Sequence, residues 1–352
     1  MANDKRYSWE DNSEKNSKKA IIILIVAFII AVIMIFAFGK PIYDYFETNS
    51  VEEFLQEVEE DIFEVIGKTG SETDNDSDKP QNETVEMETV DGTLEMYMID
   101  VGQADSFLFI QGNYVMLVDA GTRGSGDDVV AFLKEKNIDK IDVLIGSHTH
   151  DDHMGGITKV LNSFEVETFY FPERSDVTTK WYLTMLDTVI EKDIVCGDAK
   201  QGDIISLGQA KIQFITSTDS KEDKDINNSS IVIRVSYGEI DFLLGGDIEV
   251  GVEEEILASG IEIQSEVFKA SHHGSDTSNS RAFVEEVDPD HIFISCGEGN
   301  KYKHPCLETI ELFKELDIPV YRTDEQGTVA IETNGEKIAI SKNPGSYSSG
   351  EE

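Results

Sequence analysis

The sequence predicts an α/β sandwich, two sheets packed together and flanked by helices. Strand-like runs come in adjacent pairs, and helical patterns lie between and after them. Three strands precede any helix, which disfavours a doubly wound parallel sheet. The 352 residues are 39% hydrophobic and include 27 Gly and 7 Pro, enough for a real core joined by many loops.

An N-terminal anchor and linker are expected ahead of this domain. Residues 1–19 read as a cytoplasmic tail and 20–39 as a transmembrane helix. Ala20 to Phe38 is a run of 19 residues without a charge. At about 1.5 Å per residue it nearly crosses a hydrocarbon core of about 30 Å. Lys15, Lys18 and Lys19 precede it and an acidic stretch follows, so the positive-inside tendency places everything after Lys40 outside the cell. No A-x-A-like cleavage site follows the run, so a retained anchor is expected rather than a signal peptide. Residues 40–69 carry Val51, Phe54, Leu55, Val58, Ile62 and Phe63 at helical spacing, an amphipathic stalk. Residues 70–91 are polar and acidic, with too little apolar surface to fold, and read as a disordered tether.

The domain proper is expected over 92–345, with 346–352 a flexible tail. Its strand patterns fall at Leu94–Val101, Ser106–Ile110, Tyr114–Val118, Ile141–Ile145, Lys211–Ile215, Ser230–Ser236 and Asp241–Leu244. Helical spacing covers Asp127–Lys136, Met154–Leu161, Thr178–Glu191, Val250–Ala258, Ser280–Val287 and Leu307–Leu316.

Directly after the apolar run Ile141–Ile145 comes S-H-T-H-D-D-H-M-G-G, which holds three of the chain's seven histidines. Alternate residues leaving a strand share a side, so His148 and His150 converge on one metal ion. Asp152 and His153 lie where the chain turns, placed for a second ion. Imidazole with carboxylate suits zinc, manganese or iron better than calcium. Asp119 ends the run LVDAG, and Asp247 follows two glycines in LLGGDI. His272 and His273 stand in KASHHGS, N-N-S-S covers Asn227–Ser230, and His304 sits in K-H-P.

In order and spacing these motifs resemble the metallo-β-lactamase fold. The finer runs MIDVGQADS, SHTHDDHMGG, NNSSIVIRV, LLGGDI, KASHHGS and NKYKHP resemble the extracytoplasmic hydrolase domain of ComEC-type DNA-uptake proteins, from about Leu94 to Ser341. The resemblance implies an αββα sandwich and two divalent cations, zinc or manganese. It makes His148 and His150 ligands of the first ion, Asp152, His153 and His272 ligands of the second, and Asp247 the bridge. Between His153 and His272 there is no histidine, whereas many members of the fold supply a third one to the first ion from that interval. Water, a substrate oxygen or a residue near Thr216 to Thr218 is expected to fill the gap.

Asp105 and Asp119 are expected behind the ligands, orienting them through hydrogen bonds. His304 is expected to contact a phosphate or protonate a leaving oxygen, which makes Asp152, Asp247 and His304 the expected catalytic residues. His273 reads as a structural neighbour, and Lys269, Lys301 and Lys303 read as surface charges by default, with local offset of substrate charge as the alternative.

The expected reaction is metal-assisted hydrolysis of a phosphodiester, with DNA the leading substrate and a partner pore required for any uptake role. An esterase for a small or cell-wall phosphodiester such as choline-phosphate, or a metal-binding sensor without turnover, are the alternatives. The net charge of −41 divides as +2 over residues 1–40, −15 over 41–92 and −28 beyond, a field that opposes polyanions. No G-x-S-x-G nucleophile elbow, phosphate loop or dinucleotide fingerprint occurs, so serine hydrolysis and a nucleotide cofactor are disfavoured. Three cysteines without C-x-x-C spacing argue against a disulfide framework.

Overall fold

A computed structural model describes residues 92–350 apart from 173, 175 and 219–224. The tail, anchor, stalk and linker expected at 1–19, 20–39, 40–69 and 70–91 therefore lie outside the described residues. Among the described residues no helix is long and apolar enough to cross a membrane.

The first strands are β1 (Leu94–Met98), β2 (Phe107–Gln111), β3 (Tyr114–Val118), β4 (Lys140–Ile145), β5 (Glu165–Tyr170) and β6 (Val195–Gly197). Next come β7 (Ile204–Leu207), β8 (Ala210–Phe214), β9 (Ile233–Tyr237) and β10 (Ile240–Leu244). The last are β11 (Val267–Lys269), β12 (His291–Ile294), β13 (Val320–Arg322), β14 (Val329–Thr333) and β15 (Ile338–Ile340). One sheet has the order β15-β14-β1-β2-β3-β4-β5-β6 and the other β13-β12-β11-β10-β9-β8-β7. Both are mixed: β3 to β6 run parallel, as do β10 to β13.

Period-two alternation builds the layers. Met96, Met98, Phe107, Phe109, Met116 and Val118 point between the sheets, where they meet Val235, Phe242 and Leu244. The intervening Leu108, Val115 and Leu117 pack outward under the helices α1 (Gly126–Glu135) and α3 (Ile157–Ser163), with the short α2 (Asp151–Met154) just before α3 and α4 (Lys180–Glu191) beside it. Behind the second sheet, Leu243, Phe268, Ile292 and Ile294 pack under α5 (Val250–Ser259), α6 (Arg281–Val287) and α7 (Leu307–Glu315), while α8 (Thr323–Gln326) follows β13. Helices therefore flank both outer faces, the αββα arrangement expected.

Strands β5, β6, β7, β14 and β15 have no counterpart in the sequence reading, and three further details depart from it. The helix expected over Met154–Leu161 breaks into α2 and α3 at Gly155–Gly156, where the Gly156 N–H leaves the helix ladder for the Gly121 carbonyl at 3.0 Å. Strands β11 to β13 have only three or four residues and are mostly buried, so they show no alternation to read. The expected flexible tail is fastened over 346–350. Tyr347 donates its hydroxyl to the Ile318 carbonyl at 2.8 Å, the Ser346 N–H reaches Glu325 at 2.8 Å, and the Gly350 N–H reaches the Pro305 carbonyl at 2.8 Å.

Candidate metal centre

Parallel pairing sets the chemical loops side by side. Val118 faces Ile145 at the ends of β3 and β4, and Leu244 faces Lys269 at the ends of β10 and β11. Asp119 thus emerges beside the S-H-T-H run, and Asp247 beside the H-H-G-S turn.

These loops converge on one carboxylate oxygen. Asp247 Oδ2 lies 3.2 Å from His153 Nε2, 3.6 Å from His273 Nε2, 3.8 Å from His272 Nε2 and 3.9 Å from His148 Nε2. His148 Nε2 is in turn 3.0 Å from His150 Nδ1. Donor atoms of His148, His153 and Asp247 lie within 4.8 Å of one another, and so do those of Asp152, His153 and His273. His148, His153, Asp247 and His273 are all buried.

The sequence reading put His272 at the second site and set His273 aside as a neighbour. The structure brings His273, with its Nε2 3.7 Å from Asp152 Oδ2, into the group with Asp152 and His153. His272 joins none of these groups and stands nearer the mouth, its Nδ1 3.3 Å from Thr277 Oγ1. Both residues take left-handed backbone, φ 52° and 54°, so strand-like alternation could not tell them apart.

A second tier holds the imidazoles in place. Asp119 accepts the Ser147 N–H at 2.7 Å and the Ser147 hydroxyl at 2.6 Å, and its Oδ2 lies 2.9 Å from His153 Nδ1. His273 Nδ1 lies 2.8 Å from the Ser295 carbonyl and 3.2 Å from Asp105 Oδ1. Each ring is thereby held through Nδ1 with Nε2 turned inward, the usual way a protein aims an imidazole at a cation. Lys269 is buried rather than a surface charge: it pairs with Asp105 at 2.6 Å, donates to the Gly246 carbonyl at 2.8 Å and reaches Asp247 at 3.4 Å. Ser147, Ser295, Lys269 and His273 are the participants the sequence did not flag.

Thr216 and Thr218 do not fill the gap at the first site. Thr216 Oγ1 donates to the Ser230 carbonyl at 2.9 Å, and Thr218 Oγ1 is taken up around Ala199 and Asp198. The cavity above the cluster holds about 320 Å³ and is lined by Gln103, Asn227, His150, Tyr302 and His304 among others. His304 stacks on Tyr302 at 5.7 Å and meets His272 edge-on at 5.5 Å, while Lys301 sits over the Tyr302 ring at 4.7 Å.

The protonation pattern is that of a cation-shaped hole. Burial would lower His153 and His273, but Asp247 with Asp119 in one case, and Asp247 with Asp105 in the other, reverse this; His273 rises to about 10. Burial would likewise raise Asp105, yet Lys269 and His273 bring it down to about 2. Burial and neighbouring His153 push His148 well below its usual range. His153 Nε2 and His273 Nε2 remain buried without hydrogen-bond partners. Nitrogens that face a carboxylate without bonding to it, in a set of imidazoles and carboxylates, fit divalent cations.

Residues 99–298 match the Metallo-beta-lactamase superfamily. The chain belongs to this superfamily. ComE operon protein 3 of Bacillus subtilis (strain 168) is a distant homologue, 29% identical over 255 residues that cover 67% of this chain and 32% of that protein. Competence protein ComA of Neisseria gonorrhoeae is 28% identical over 238 residues, 65% of this chain and 31% of its own. This superfamily member thus spans about a third of the length of those curated relatives. Among solved structures, the metallo-beta-lactamase fold protein YhfI from Bacillus subtilis aligns over 67% of this chain and 99% of its own, with TM-score 0.46 and 10% identity. A metal-dependent hydrolase is the activity that the family and the buried His/Asp cluster indicate together.

Proposed function

We propose that this chain is a membrane-anchored phosphodiesterase whose catalytic domain lies outside the cell and works with two divalent cations, zinc or manganese. The observation that carries the reading is Asp247 Oδ2, held 3.2 to 3.9 Å from four imidazole nitrogens on two other loops. His148 and His150 would hold the first ion and Asp152, His153 and His273 the second, with Asp247 shared. Bound there, the cations supply the Lewis acidity that makes water nucleophilic near neutral pH and offsets charge on the substrate.

The remaining work falls to the chain itself. Asp119, Asp105 and the Ser295 carbonyl keep His153 and His273 from turning. His304, held down to about 4 by burial and by His273 and His272, is neutral at physiological pH. It therefore meets a phosphoryl oxygen as a hydrogen-bond donor rather than as an acid. The resemblance to ComEC-type DNA-uptake proteins supports DNA as substrate, and one membrane span would leave passage of DNA to a partner pore. The net −28 beyond residue 92 favours instead a small or cell-wall phosphodiester such as choline-phosphate.

Full-length protein in detergent with manganese or zinc should hydrolyse bis-(p-nitrophenyl) phosphate. Asp247→Asn should lower the rate by at least ~1,000-fold, since both ions lose their shared ligand. A metal-loaded chain with no turnover would instead make it a sensor. Parallel assays on single-stranded DNA and p-nitrophenyl phosphorylcholine separate the two substrates.

A further inference from the structure

The interval between His153 and His272 contains no histidine, yet it contains Asn227. This residue is only 7% exposed, and its Oδ1 is buried with no hydrogen-bond partner. It lines the same cavity as His150 and Asp247. A buried carbonyl oxygen left unsatisfied is costly unless something arrives to occupy it.

The segment that carries Asn227 is fastened to both sides of the first site. The Ile231 N–H donates to the Ser147 carbonyl at 2.8 Å, tying the segment to the residue before His148. The Asp247 N–H donates to Ser230 Oγ at 3.0 Å, and that hydroxyl donates to the Asn227 carbonyl at 2.6 Å. A Cβ on Gly246 would lie 2.9 Å from that of Ser230 and 3.4 Å from that of Ser147, so the three loops abut with no room to slide. All of these ties run through backbone or through serines. The Asn227 carboxamide takes part in none of them.

We infer that the Asn227 carboxamide oxygen is the third protein ligand of the first cation, in the place where a histidine is missing. The inference rests on the two-ion reading above. An amide oxygen is a neutral and harder donor than imidazole, so it shifts the first site's preference from zinc toward manganese or magnesium. It also makes the first site the weaker of the two.

The test is metal stoichiometry and affinity of the full-length protein, by elemental analysis and by calorimetric titration with manganese. Wild type should take up two ions. Asn227→Ala should keep the tighter ion and bind the weaker one 10- to 100-fold less well, with its unfolding temperature in chelator unchanged. Asn227→Asp should restore the affinity. Asn227→His should restore it with a shift toward zinc, and should alter the visible spectrum of the cobalt-substituted protein. Two ions bound by Asn227→Ala or, should that variant not fold, by Asn227→Leu, at wild-type affinity would overturn the assignment alone. A wild-type chain that binds no more than one ion would overturn this assignment and the two-ion reading together.

Discussion

At the scale of single residues, the metal-free centre is balanced by protons. His153 and His273 are raised above the ordinary histidine range by Asp247, Asp119 and Asp105 against the pull of burial, His273 to about 10. His273 is therefore imidazolium at pH 7.5, His153 is shifted in the same direction, and a cation that needs their lone pairs has to displace protons. Calorimetry in buffers of different ionisation enthalpy should show proton release on metal uptake at pH 7.5, with apparent affinity climbing as pH rises toward 10. Uptake without proton release would contradict the ligand set. The linkage has a second consequence. A raised folded-state value means that the ion pairs of His273 stabilise the metal-free fold fully below about pH 6.5, and that their contribution is lost as pH rises through about 10. The side chains of the S-H-T-H-D-D-H run that gather near Asp247 were legible as a cluster in the sequence because strand alternation and imidazole chemistry both act locally. The choice between His272 and His273 was not, since it depends on two consecutive left-handed residues and on Ser295 and Asp105, which are remote in the chain.

At the scale of elements, the H-H-G-S turn is held by a clamp that no motif announces. Asn279 accepts the Ser271 N–H at 2.8 Å and donates to the Ser271 carbonyl at 2.9 Å. Its own N–H and that of Ser280 end on Glu253 of α5, at 2.5 and 2.9 Å. The second sheet's outer helix thereby reaches through Asn279 to the residue before His272. Asn279→Ala should cost about 1–3 kcal/mol of stability by stranding two buried backbone groups. It should also weaken metal binding about 10- to 100-fold, as losses behind a ligand do. Chemical denaturation and manganese titration of the same variant measure both, and unchanged affinity would show that the turn holds itself. Legibility fails here for a physical reason. Strands β11 to β13 are too short to show a period, and the clamp joins residues on different helices and loops. The early strands β1 to β4 were readable because runs of five or six largely apolar residues between turn residues mark strands locally.

At the scale of the whole molecule, the charge of −41 and the anionic substrate class pull against each other. Nucleic-acid enzymes with basic surfaces lose affinity as salt rises, because bound phosphate displaces counterions. A strongly acidic domain should behave oppositely: between about 20 and 200 mM salt, screening shortens the reach of its own field. For single-stranded DNA, kcat/KM should therefore rise with ionic strength over that range, while the assay on bis-(p-nitrophenyl) phosphate, a small monoanion, changes less. A steep fall with salt would point to a basic track that this reading lacks. The αββα architecture was legible from the order of strands and helices, whereas the docking of residues 346–350 was not. That tail is polar and short, and only the folded domain supplies Ile318, Glu325 and Pro305 as its partners.

The proposed chemistry depends on Asp247 as the carboxylate shared by two cations. Anomalous diffraction from manganese-loaded crystals, collected above and below the metal edge, addresses this directly. Two peaks about 3.5–4 Å apart are expected, one on each side of the Asp247 carboxylate, with His148 and His150 at one and Asp152, His153 and His273 at the other. A single peak, or two peaks of which neither touches Asp247, would contradict it.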